Sequence, residues 1–159
     1  MSIQKKIVTA MAFATTTLVA MPASSAEPDD ITHGKYLILT AGCNDCHTAG
    51  YAASGATIPE PEWLKGDSLG FRGPWGTTYA VNLREYMAGL SQEEWVNKAR
   101  TLKARPPMPW WALNAMTEKD LKAIYTYVRA LDTSDNKVPE FVPPDQEPPM
   151  PYVQWPMPQ

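Results

Sequence analysis

The stretch AGCNDCHTAG, residues 41–50, contains the chain's only two cysteines, Cys43 and Cys46, followed at once by His47, one of its two histidines. Two segments of opposite character flank it. Before it, DITHGKYLILTAG (30–42) opens on Asp29 and Asp30, carries Ile31, Gly34, Leu37, Ile38 and Ala41 at helical spacing, and stops at Gly42. After it, residues 48–82 hold six glycines and three prolines with no sustained period, which predicts loop. A loop that long inside a compact domain needs something to wrap around.

The first 26 residues place Lys5 and Lys6 ahead of an apolar run from Ile7 to Met21 and end on Ser24, Ser25 and Ala26. That is the layout of a secretory signal peptide cut after Ala26, and its apolar run falls short of a membrane span. With the leader removed, the chain is not expected to be an integral membrane protein. Two of the 14 basic residues lie in the leader and all 17 acidic residues follow it, so the exported part is acidic. Such a balance argues against a nucleic-acid partner. Export makes a disulfide chemically possible, but a bridge from Cys43 to Cys46 closes too small a loop to staple a domain. The two thiols are therefore expected to have a chemical task.

Downstream, SQEEWVNKARTLKAR from Ser91 opens with a capping box, Ser91 and Glu94, and puts Trp95, Ala99 and Leu102 on one face, ending before Pro106. TEKDLKAIYTYVRAL (117–131) is capped by Thr117 and carries a stripe of Leu121, Ile124, Tyr125, Val128 and Leu131. No stretch alternates as a buried strand should, so residues 27–133 are expected to form one small all-α domain with long loops. From residue 134 to 159 the chain turns proline-rich, which predicts an extended tail. Phe141, Tyr152 and Trp155 would let that tail pack on the domain or meet a partner.

A thioredoxin-like redox pair would sit between a strand and a helix, a pattern missing around Cys43 and Cys46. A structural zinc site would need a fourth ligand, and the other histidine, His33, lies ten residues back on the preceding helix. Cys-Asn-Asp-Cys-His instead matches the attachment motif for c-type haem. Two thiols at this spacing can add to the two vinyl groups of one porphyrin, leaving His47 beneath the iron. One ring nitrogen then binds iron while the other donates to a carbonyl that fixes its orientation.

On these residues the chain resembles the small monohaem class I cytochromes c over residues 30–131. The resemblance implies one haem c bound through Cys43 and Cys46, an N-terminal helix crossing a C-terminal one, and a methionine supplied before the last helix. Gly34 would suit that crossing, with Tyr125 or Tyr127 opposite. Met108, followed by proline in ARPPMPWW, matches the family's axial position, with Met116 and then Met87 behind it; His33 is a less suitable ligand. The resemblance also implies that FRGPWGTTYAVNL (71–83) packs on the His side, with a carbonyl of Gly73 or Pro74 orienting His47 and with Trp75 and Tyr79 covering the macrocycle or reaching its propionates. The segment YAASGATIPEPEWLKGDSLG (51–70) exceeds the shortest members of the family.

Iron closed by His47 and Met108 can exchange an electron but offers no open position for ligand chemistry. The expected function is periplasmic single-electron transfer between redox partners such as dehydrogenases, oxidases or other cytochromes. Alternatives are a cytochrome subunit of a dehydrogenase or oxidase complex, and a haem enzyme or sensor whose sixth position opens. Lys98, Arg100, Lys103 and Arg105 could form a basic rim that steers an acidic partner.

Overall fold

The computed structural model describes residues 28–156, so the expected leader, residues 1–26, lies outside the described residues. The helices are α1 (Pro28–Thr40), α2 (Cys43–His47), α3 (Leu83–Ala88), α4 (Gln92–Thr101), α5 (Trp110–Ala115) and α6 (Glu118–Ala130). Three short strands accompany them: β1 (Gly70–Gly73), β2 (Gly76–Thr78) and β3 (Tyr152–Gln154).

The frame is the crossing of α1 and α6. Gly34 removes the side chain where the two backbones meet, and the residues it faces are Ala123 and Tyr127. Around that contact Ile38, Leu121, Ile124, Tyr127 and Val128 form the buried core. His33 Nε2 reaches Asp120 at 2.8 Å and ties the start of α1 to the start of α6. Of the expected stripe on α6, Tyr125 is only half-buried, and its hydroxyl donates to the Leu90 carbonyl at 2.7 Å.

Capping chemistry sets the helix starts. Ser91 and Glu94 close both halves of the capping box of α4. Thr117 accepts from the Asp120 amide at the start of α6. Asn82 accepts from the Arg84 and Glu85 amides and so starts α3, a helix too short for its period to be read in the sequence. α4 ends at Thr101, earlier than expected, and the chain runs without helix to Trp110.

The loop after His47 builds a small core of its own. Tyr51 and Trp63 meet edge to face with ring centroids 5.9 Å apart, and Leu64 is fully buried. Arg84 of α3 holds this segment down: its guanidinium donates to the carbonyls of Trp63 (2.8 Å), Asp132 (3.0 Å), Glu60 (3.1 Å) and Pro61 (3.1 Å).

The all-α expectation needs a correction. β1 and β2 form an antiparallel hairpin, with Phe71 opposite Thr78 and Gly73 opposite Gly76. β3 adds in parallel on the other side of β1, with Gly70 opposite Tyr152 and Phe71 opposite Val153. Strands of three and four residues are too short to show alternation, and β3 joins from about eighty residues away, so no local pattern announces the pairing. The proline-rich tail makes a turn at residues 143–146 and is strapped to the domain. Asn82 donates to the carbonyls of Ser134 and Asn136, Val142 pairs with Thr77, and Trp155 N donates to Arg72 O at 2.8 Å. β3 lies at the sheet edge and holds no proline, which would remove a ladder N–H.

Candidate haem site

A cavity of about 640 Å³ opens between these elements, and its lining contains Cys43, Cys46 and His47 together with Met108. Gly42, at φ 69°, makes the tight turn that separates α1 from α2, which puts Cys43 and Cys46 one turn apart on the same short helix. Ile38, Met87, Trp95 and Ile124 make much of the remaining wall apolar. Residues separated by sixty positions in sequence thus face one volume.

His47 is buried, and its Nδ1 lies 2.8 Å from the carbonyl oxygen of Val81. Burial lowers its pKa below the usual histidine value, and the bond to Val81 opposes that only in part. A neutral imidazole that donates from Nδ1 keeps the lone pair of Nε2 for a metal. The Gly66 amide donates to the His47 carbonyl at 2.8 Å, fixing the backbone on which the ring stands.

Both cysteines carry free thiols. Burial pushes the Cys43 thiol up to about 11. Cys46 is raised too, by burial first and then by Asp45 and Asp67. A redox-active disulfide needs a thiol of depressed pKa, the opposite of what this environment does. Among the described residues no cluster of three or more His, Cys, Asp or Glu side chains is disposed to hold a metal ion, which argues against a zinc clip.

The structure fits a c-type haem on two further observations. Tyr79 lines the cavity with its hydroxyl buried and unpartnered, and a buried hydroxyl needs an acceptor. The cavity is also far larger than native cores leave empty. Met108 and Met87 both line it, whereas Met116 packs into the core away from it and His33 is committed to Asp120.

Two expectations for the loop at 71–83 change. The carbonyl at His47 Nδ1 belongs to Val81, not to Gly73 or Pro74. Pro74 and Trp75 instead form the turn of the β1–β2 hairpin, outside the cavity lining, with Trp75 meeting the ring of Trp155 edge to face at 6.2 Å. A backbone acceptor leaves no mark on its residue type, so Val81 had no signal to read. Lys98, Lys103 and Arg105 stand at the cavity's edge, while Arg100 turns to Glu118 at 3.4 Å.

The family model described as Cytochrome c matches residues 31–132. The chain is 30% identical over 117 residues to the fructose dehydrogenase cytochrome subunit of Gluconobacter japonicus, a stretch covering 67% of this chain and 22% of that protein. It therefore spans about a fifth of that relative's length. No solved structure matches.

Proposed function

The chain belongs to the cytochrome c family, and on that premise we propose that it is a periplasmic electron-transfer protein holding one haem c through Cys43 and Cys46, with His47 and Met108 as axial ligands. The observation that carries this reading is the shared cavity: both thiols, the neutral imidazole and the Met108 thioether line one apolar volume. When bound, the haem supplies an iron that takes up and gives back one electron.

The protein's part is to hold and tune. His47 is oriented by Val81 and kept neutral by burial, so it can ligate without first losing a proton. The Met108 thioether is a soft, neutral ligand that favours the ferrous state. Tyr79 can donate its unpartnered hydroxyl to a propionate. The apolar wall would limit water around a bound haem, and ligation by both His47 and Met108 would leave the iron no position for substrate. Lys98, Lys103 and Arg105 give the cavity's edge a positive charge on an acidic chain, which favours approach by an acidic partner surface.

Optical spectra of the exported protein test the ligand set. The weak near-infrared band of methionine bonded to ferric iron is expected in the wild type and absent from Met108→Ala. Its absence from the wild type would move ligand binding or catalysis to the front.

The resemblance to a cytochrome subunit of fructose dehydrogenase supports a second reading, in which the chain serves one dehydrogenase as its bound electron acceptor. A free carrier purifies from its own cells as a single chain. A subunit co-purifies with a dehydrogenase whose substrate reduces the haem.

A further inference from the structure

The segment from Leu102 to Pro109, which carries Met108, has an unusual backbone. Pro106, Pro107 and Pro109 lack an N–H, so among residues 106–109 only Met108 can donate a main-chain hydrogen bond. Such a segment cannot be stitched down by a ladder and must be held through its carbonyls and side chains. Two contacts do this from outside. Thr78 of β2 donates its hydroxyl to the Pro106 carbonyl at 2.7 Å. The Arg105 guanidinium lies 3.8 Å from the centroid of the Phe141 ring.

Phe141 belongs to the tail, and its own position is fixed. Val142 exchanges two backbone hydrogen bonds with Thr77, at 2.7 and 3.0 Å. The ring lies against Gly76, where a Cβ would come within 2.7 Å of its edge, and Gly76 itself sits at φ 98°. A side chain at position 76 would displace the ring, so the bare backbone there is what lets Phe141 reach Arg105. Both contacts on the methionine segment therefore trace back to one strand, β2, which the tail braces.

We propose that Phe141, acting through Arg105, is a positioning residue for Met108: the tail's ring clamps the ligand segment over the cavity. The inference rests on the reading of Met108 as sixth ligand. Its consequence is kinetic and thermodynamic closure of the iron. Loosening the clamp raises the fraction of molecules in which Met108 has left, and an added ligand binds that fraction.

The test is an imidazole titration of the oxidised, haem-loaded full chain, read by loss of the methionine near-infrared band. A cation–π contact between partly exposed groups corresponds to roughly a two- to fivefold change in the opening equilibrium. Phe141→Leu and Arg105→Gln should each tighten apparent imidazole affinity by that factor, and the double variant should do no more than either alone. Phe141→Tyr, which keeps the ring, should behave as wild type. Trp155→Ala, elsewhere in the tail, should leave the affinity unchanged. Arg105 is exposed, so Arg105→Gln remains informative even if a change at Phe141 disturbs folding.

Unchanged affinity in Arg105→Gln overturns the proposal, as do additive effects of the two substitutions or an equal effect of Trp155→Ala. If the wild-type protein lacks the methionine band, the ligand reading itself fails, and that is visible before any imidazole is added.

Discussion

Gly34 of α1 lies so close to Tyr127 of α6 that a Cβ on the glycine would fall 2.6 Å from the tyrosine's own Cβ, and closer still to the Ala123 carbonyl oxygen. Neither neighbour can swing away, since one is backbone and the other is the root of a fully buried side chain. Gly34→Ala must therefore push the two helices apart, although alanine is the better helix former. Overpacking of this kind costs about 1–3 kcal/mol. Guanidinium melts of the haem-loaded proteins should show it, and a loss below about 0.5 kcal/mol would mean that the crossing yields more easily than a packed core does.

Arg84 is a buried cation whose guanidinium donates to four carbonyls, with the carboxylates of Asp132, Glu62 and Glu60 near enough to favour its charge. Burial lowers its pKa from the ordinary arginine value, but a guanidinium stays charged at neutral pH, so its stabilisation lies in the donors it supplies. Arg84→Leu would leave the carbonyls of Trp63 and its neighbours without their donor, at a cost of about 2 kcal/mol or more. Arg84→Lys, with a point charge in place of the fork, should recover only part of that. Equal stability of the leucine and lysine variants would count against the fork geometry.

What could be read in advance follows from the range over which each signal acts. The helices at 30–42 and 117–131, the capping pair Ser91 and Glu94, and the ten-residue block around Cys43 and Cys46 all carry their information within one or two turns. The structure keeps them with shifts of a few residues at the ends. What was not legible is non-local or written in backbone. Val81 serves His47 through a carbonyl that any residue could offer. Nothing in the sequence marks Arg84 as buried, and only the chain at 60–63 packed against it reveals what it holds. The strand at 152–154 exists because β1 has a free edge some eighty residues earlier. Pro74 and Trp75 were placed by resemblance alone, and the hairpin turn puts them outside the cavity.

The cavity sets an expectation for the chain without its haem. Without haem, the apolar walls around about 640 Å³ would face water and lack the contacts that the macrocycle would make with them. A Cys43→Ser, Cys46→Ser double variant produced without haem should therefore show no cooperative melt and little near-ultraviolet dichroism. A sharp calorimetric transition would show that the loops find a core of their own.

Acid should weaken the protein in part through Glu60. Its carboxylate accepts from Lys35 Nζ at 2.5 Å and from the Tyr127 hydroxyl at 2.8 Å, which joins the 60–62 turn to α1 and α6. The Lys35 hydrogen bond is the main cause that holds its pKa below the ordinary value of 4.5, with Tyr127 adding to it. A carboxyl depressed in the folded state contributes stability that is fully present above its unfolded pKa and disappears as pH falls through the folded one. Glu60→Gln keeps an acceptor for Tyr127 but drops the charge, so it isolates that contribution from other carboxylates depressed in the fold, such as Asp120. Because Glu60 and Lys35 are each more than a third exposed, the difference should stay below about 1 kcal/mol at pH 7. Thermal melts of the two proteins should separate by a few degrees at pH 7 and draw together as pH falls and the carboxyl is protonated in the folded state. A gap that stays the same at every pH would assign the effect of Glu60 to packing instead of charge.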